Sequence, residues 1–326
     1  MTERRWYSLA RHAMVDALRL VRPAGGGSVL LPTFICRDVV GAVRAAGMHE
    51  AWYEVTEALG PAGLPDARHD VVVAVNYFGI PQDLGPFEAW AAAHGAVVLE
   101  DNAHGWLSRD ASGAVLGERA VLGVTSVRKT IPSPDGALLA VGDPALARAL
   151  PAPLAARGGP TPAAWRVRRL AGAAQRTSRV PVFDALQGAS RLARLARTGS
   201  ALPVTGEEAE ASVPGPAAAH ARSLAMAAAT DSAREGRRRR DLWARAAREA
   251  ARLGLRPVVA TLAPGAVPYG YPVRAGAHER AALRRAARAT GTTLMAWPDL
   301  PSAVRDRAPV HHRDVWLLNF TSWTAR

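Results

Sequence analysis

The feature that most constrains the fold is a pair of short, almost wholly apolar runs, Val71–Val75 and 96–100, on either side of a helical stretch at 84–94 that Gly95 closes. A strand with one wet face alternates apolar and polar residues; a run without alternation needs cover on both faces. The spacing therefore predicts a βαβ unit in a mostly parallel sheet with helices above and below it. The same rhythm continues upstream. Apolar residues recur at helical spacing over 12–21, Gly25, Gly26 and Gly27 break the pattern, and 29–31 reads as strand. A helix over 37–46 stopped by Gly47 and a strand over 51–55 follow. Downstream, strands at 120–125 and Ala137–Val141 flank Lys129, with Asp135 and Gly136 marking a turn.

The rest of the chain changes character. Residues 143–197 read as mostly helical, with breaks near 158–162 and at Pro181. The stretch 206–216, acidic and then Pro/Gly-bearing, has the composition of an exposed loop or domain junction. A long helix is expected over 217–253. Strands at 256–262 and 270–273, a helix at 278–289 and strands at 293–297 and 315–320 complete a smaller α/β unit. A chain of 326 residues suits two domains, here 1–215 and 216–326.

Apolar residues at 49 % against 21 % charged residues exclude global disorder. A single cysteine, Cys36, excludes an internal disulfide framework and a four-cysteine zinc site, and a reducing cytoplasm is the expected compartment. The net charge of +13 would suit nucleic acid, an acidic membrane or a phosphorylated substrate. Of the 41 basic residues, however, only Lys129 is a lysine, and this arginine bias weakens a functional reading of the total. The run Arg237-Arg238-Arg239-Arg240 falls on a helix, where successive residues point in different directions, and no aromatics are interleaved with it. It reads as a solvated face, with no nucleic-acid partner expected. No apolar run approaches the ~20 residues of a membrane span, and Trp6 and Tyr7 lead into a charged stretch rather than a signal-peptide core, so a soluble protein is expected. His311 and His312 are adjacent without a following HExxH pattern, no GxGxxG follows an early strand, and no GxxxxGK[ST] occurs. Neither a metal site nor a common nucleotide loop is predicted.

Asp101, His104, Ser126 and Lys129 form the better constellation. Each lies at or just beyond the end of a predicted buried strand, where a parallel sheet opens a crevice. A desolvated lysine loses part of its preference for the charged form and becomes a usable amine nucleophile. Residue chemistry alone leaves a Schiff-base site and purely structural roles both open.

The segment Val98-Leu99-Glu100-Asp101-Asn102-Ala103-His104 resembles the ED-x-A-[QH] strand end of the DegT/DnrJ/EryC1/StrS aminotransferase family. The block from Ser126 through Lys129 to Gly136 resembles the family's Ser…Lys segment and glycine turn. Leu31-Pro32-Thr33-Phe34, Tyr77-Phe78-Gly79-Ile80-Pro81, His94-Gly95, Tyr271-Pro272-Val273-Arg274 and Trp297-Pro298-Asp299-Leu300-Pro301 add matches in the right order. The likeness runs over about 8–145 and 255–320, with a poorly matched middle. It implies the fold of type I pyridoxal phosphate (PLP) enzymes, a large sheet domain plus a small C-terminal α/β domain, assembled as a homodimer. It also implies transamination between an amino donor and a keto acceptor, in many relatives a nucleotide-linked keto-sugar. On this chain Lys129 would bind the cofactor as a Schiff base, Asp101 would pair with the pyridine nitrogen, and His104 would sit near the 3-hydroxyl. Phe34 would cover the ring, while Ser126 and Arg11 would hold the phosphate with the first amides of the opening helix. Ala10 stands where relatives have glycine, Asn76 where histidine is frequent, and Ala137 where a second glycine is common; the chain is also shorter than full family members. These departures imply a reduced or altered substrate site. They keep two alternatives in play: another PLP reaction such as dehydration or elimination, and a catalytically silent, partner-binding relative.

Overall fold

Two sheets organise the chain. The computed structural model describes residues 2–178, 182–198, 208–211, 213, 215 and 217–320. Strands β1 (Glu3–Tyr7), β2 (Ser28–Pro32), β3 (His49–Tyr53), β4 (Val71–Val75), β5 (Val97–Asn102), β6 (Leu122–Ser126) and β7 (Ala137–Val141) form one sheet in the order β1-β7-β6-β5-β4-β2-β3. From β6 to β3 every pairing is parallel; β7 runs antiparallel to β6 and to β1. Helices α1 (Ala10–Val21), α2 (Arg37–Ala45) and α3 (Gly85–His94) make the early connections. The step from β2 to β3 moves outward in one direction and the step from β4 to β5 in the other. Right-handed crossovers therefore put α2 and α3 on opposite faces. This double cover explains why β2, β4 and β6 are buried at every position.

Helices α4 (Pro144–Arg148), α5 (Ala163–Ser178), α6 (Val182–Thr198), α7 (Glu208–Ala211) and α8 (Ala221–Ala228) follow. The break expected at Pro181, and residues 206, 207, 212, 214 and 216 of the expected junction, lie outside the described residues. Then come α9 (Ser232–Arg252), β8 (Arg256–Pro257), β9 (Gly270–Arg274), α10 (Arg280–Thr290), β10 (Thr293–Ala296), α11 (Ser302–Arg305) and β11 (Val315–Asn319). The four strands form an antiparallel sheet, β10-β11-β9-β8. All its strands come after residue 216, and all those of the larger sheet come before it. The two-residue period of β11 joins the layers. Val315 and Leu317 face the main core, while Trp316, Leu318 and Phe320 pack with Leu242 and Trp243 of α9 and Leu283 of α10. Among the described residues no helix is long and apolar enough to cross a membrane.

Two sequence expectations need correction, and one element was not anticipated. The N-terminal residues form edge strand β1, whose charged Glu3, Arg4 and Arg5 mask a strand signal and protect the sheet edge. The helix expected over 217–253 is two helices, because the Asp231 carboxylate accepts from the Arg234 N–H at 2.9 Å and caps a new start. The strand expected over 256–262 shrinks to Arg256–Pro257, beyond which a single Val258 N–H bond to the Pro272 carbonyl at 2.9 Å is made.

Candidate active site

The C-terminal ends of the parallel strands open at the point where strand order reverses, between β2 and β4, which is where α/β sheets accept ligands. A cavity of about 140 Å³ lies there. Ile35 and Cys36 reach it from the loop after β2, Val75 from β4, Asp101 from β5, and Val124 and Ser126 from β6. His104, Arg128 and Lys129 enter from the turns beyond, Arg11 and Ala10 from the start of α1, and Trp297 from beyond β10.

Lys129 is half-buried, and its Nζ lies 3.2 Å from His104 Nε2. His104 Nδ1 accepts the Phe78 backbone N–H at 3.3 Å. That bond assigns the imidazole proton to Nε2, so Nε2 donates to Nζ when the amine carries a lone pair. Burial acts in the same direction. It drives the His104 pKa well below the usual histidine value, and it lowers that of Lys129. Burial thus shifts the lysine toward the neutral amine, the form that attacks a carbonyl. Tyr269 stacks on His104 with centroids 4.8 Å apart and planes within 7°, fixing the ring. Burial raises the Asp101 carboxyl above the usual range; the Ala103 N–H at 2.9 Å and the Lys129 charge oppose the rise.

The opposite end of the cavity suits an anion. The Ser126 hydroxyl is buried and has no hydrogen-bond partner among the described residues. Helix α1 starts at Leu9 without a side-chain cap, which leaves its first amides for a ligand. Arg11 lies beside them with Nη1 2.6 Å from Asp38 Oδ1. An amine, a buried carboxyl and an orphaned hydroxyl beside a helix N-terminus fit PLP: one group each for its aldehyde, its ring nitrogen and its phosphate.

Five of the six candidate site residues, Arg11, Asp101, His104, Ser126 and Lys129, line this cavity. Phe34 does not. Its side chain is fully buried, stacked on His312 at 4.4 Å and edge-on to Trp297 at 4.9 Å. The loop turns Ile35 and Cys36 toward the cavity instead, and burial pushes the Cys36 thiol up to about 12, so it presents a neutral group. Phe34→Ala should cost about 3–5 kcal/mol of stability in denaturant unfolding. Phe34→Leu should leave Lys129 chemistry unchanged; weaker cofactor capture by that variant would return Phe34 to the site. Asn76 is also away from the cavity, bound to Glu100 at 2.7 Å and to Arg119. Tyr269 and Trp297 gain site contacts that residue type alone did not assign, because both arrive from the distant C-terminal sheet.

The fold is that of fold type I PLP enzymes. Residues 56–198 match the model of the DegT/DnrJ/EryC1/StrS aminotransferase family, the family that the motifs resemble. The match reaches into the middle region that the motifs covered poorly. No curated protein matches the chain in sequence. The aminotransferase TlmJ from Streptoalloteichus hindustanus superposes with a TM-score of 0.61 at 20 % identity, over 97 % of this chain and 80 % of that one. DesV from S. venezuelae gives 0.60 at 20 %, over 97 % and 79 %. An E. coli GDP-4-keto-6-deoxy-D-mannose-3-dehydratase with bound hydrated PLP gives 0.61 at 12 %, over 98 % and 84 %. At these identities the likeness carries the fold.

Proposed function

We propose that the protein is a PLP-dependent aminotransferase that moves an amino group from a small amino donor to a keto substrate, either a nucleotide-linked keto-sugar or another biosynthetic intermediate. The observation that carries this reading is the convergence of Lys129, His104, Asp101 and the orphaned Ser126 hydroxyl on one cavity. PLP, when bound, supplies an aldehyde and an electron-accepting ring. Lys129 Nζ would be the amine for that aldehyde and would hold and move a proton at the substrate Cα. His104 holds Nζ in place through Nε2. Asp101 holds a proton on the ring nitrogen, Ser126 and the α1 amides bind the phosphate, and Trp297 helps exclude water. The same family resemblance supports a cytoplasmic homodimer, which light scattering on the purified protein checks.

The reading predicts a half-reaction. Cofactor-loaded protein mixed with a panel of amino donors should lose its visible absorbance with at least one donor and release a stoichiometric keto acid. An absorbance that no amine discharges would overturn transamination. Loss of water from an oxygenated keto-sugar would instead place the protein with dehydratases, the activity printed for one of the similar folds.

A further inference from the structure

The arginine run does not behave as one surface. Arg237 and Arg240 are exposed, whereas Arg239 is fully buried. Its Nε donates to Glu235 Oε1 at 2.7 Å, and its Nη1 donates to the carbonyls of Pro268 at 2.7 Å and Tyr269 at 3.4 Å. Its Nη2 donates to the Thr130 carbonyl and, at 3.5 Å, to that of Lys129. One guanidinium therefore ties α9 to both sides of the Lys129–His104 contact. On one side is the backbone of the lysine loop; on the other is Tyr269, whose ring lies on His104 and 5.8 Å from Lys129 Nζ.

A buried cation is a poor way to gain stability. Desolvation pulls the Arg239 guanidinium down to about 10, and well-packed apolar residues often replace such groups without loss. What an apolar residue lacks is a planar fork of five donors with fixed directions. We propose that Arg239 is a positioning residue, which sets the register of the lysine loop against Tyr269 and so holds the Lys129 amine on His104. The inference deepens the proposed function and rests on it only for what the amine does. Removing the fork has two effects of one sign on Lys129. A nearby positive charge disappears, and the loosened loop admits water; both favour the protonated amine.

Lys129 is the only lysine, so an amine-directed reagent reports on it and the N-terminus alone. The test uses the full-length chain, with and without PLP, as the parent and as Arg239→Gln, Arg239→Lys and the exposed control Arg237→Gln. Acylation of the Lys129 peptide by acetic anhydride is followed against pH by mass spectrometry in cofactor-free protein. Borohydride-trapped PLP capture is followed separately. The parent should titrate below the ordinary lysine value of 10.5. Arg239→Gln should move the midpoint up by about one pH unit and slow capture about 10- to 100-fold. Arg239→Lys, which keeps the charge but not the fork, should slow capture with a smaller shift, and Arg237→Gln should match the parent. If Arg239→Gln does not fold, the Arg239→Lys capture rate decides. A lowered melting temperature with an unmoved Lys129 profile and unchanged capture per folded protein would overturn the proposal and leave Arg239 as interdomain packing. A shifted profile in a series where even the parent captures no PLP would uphold the positioning role and defeat the cofactor reading.

Discussion

Lys129→Ala should leave no borohydride-trapped pyridoxyl group on any side chain, with only the α-amine of the N-terminus left to react, because no other side-chain amine exists to carry one. This makes the experiment cleaner than in a lysine-rich protein, where secondary sites mask the loss. Turnover on any identified donor should fall by at least ~10⁴-fold, since one residue supplies both the covalent anchor and the proton carrier. Lys129→Arg separates charge from nucleophilicity. It keeps a cation beside His104 and Asp101 but has no lone pair at neutral pH, so it should bind cofactor noncovalently and fail in turnover. The fold should survive both changes. The backbone at Lys129 is held by the Arg239 guanidinium at its carbonyl, and the half-buried ammonium has a lowered pKa, so its charged form adds no stability. A Lys129→Ala variant that still transaminates at the parental rate would defeat the assignment of the amine, and with it the functional reading.

The central parallel strands were legible because burial on two faces leaves a composition that nothing else produces; Val71–Val75 was readable to the residue. Strand β1 was not legible, because Glu3-Arg4-Arg5 is chosen for a solvent edge and Arg4 pairs with Glu118, distant in sequence. The break before α9 depends on one carboxylate folding back on an amide, a short-range event that helical composition on both sides conceals. Asp101 and Ser126, at strand ends, line the cavity because strand direction dictates where they point. Phe34 was misplaced for the complementary reason: in a loop, neighbours such as Phe34 and Cys36 exchange inside for outside with a small backbone rotation. Arg239 was hidden by helical phase, since four identical residues give no sign of which one turns inward. Tyr269 was hidden by distance in sequence, 165 positions from the histidine it covers, the difference between 269 and 104.

Asp101→Asn should push activity and stability in opposite directions. In β5 the carboxyl is buried, and Oδ1 accepts the Ala103 N–H, a bond that an asparagine carbonyl reproduces; the strand end should keep its shape. Its pKa is raised by burial, so the linkage sign is fixed. The carboxyl contributes its full stability below the unfolded-state value of ~3.9, and that contribution is lost as pH rises through the higher folded value. At neutral pH the buried carboxyl is therefore a cost. Asparagine does not titrate, so cofactor-free Asp101→Asn should melt no lower than the parent at pH 7, with any advantage vanishing in acid. Lys129 should respond too. The Asp101 charge supports the protonated amine, and its removal should lower the Lys129 midpoint, opposite to the shift from Arg239→Gln. Turnover should nevertheless fall by about 10²–10⁴-fold, because an amide cannot hold a proton on a ring nitrogen as a carboxylate does. Equal turnover in Asp101→Asn and the parent would remove Asp101 from the chemistry. A melting temperature that falls together with the activity would make it a structural residue. Higher stability, a lower lysine midpoint and lost turnover in one variant are what a carboxylate kept at a stability cost for its charge requires.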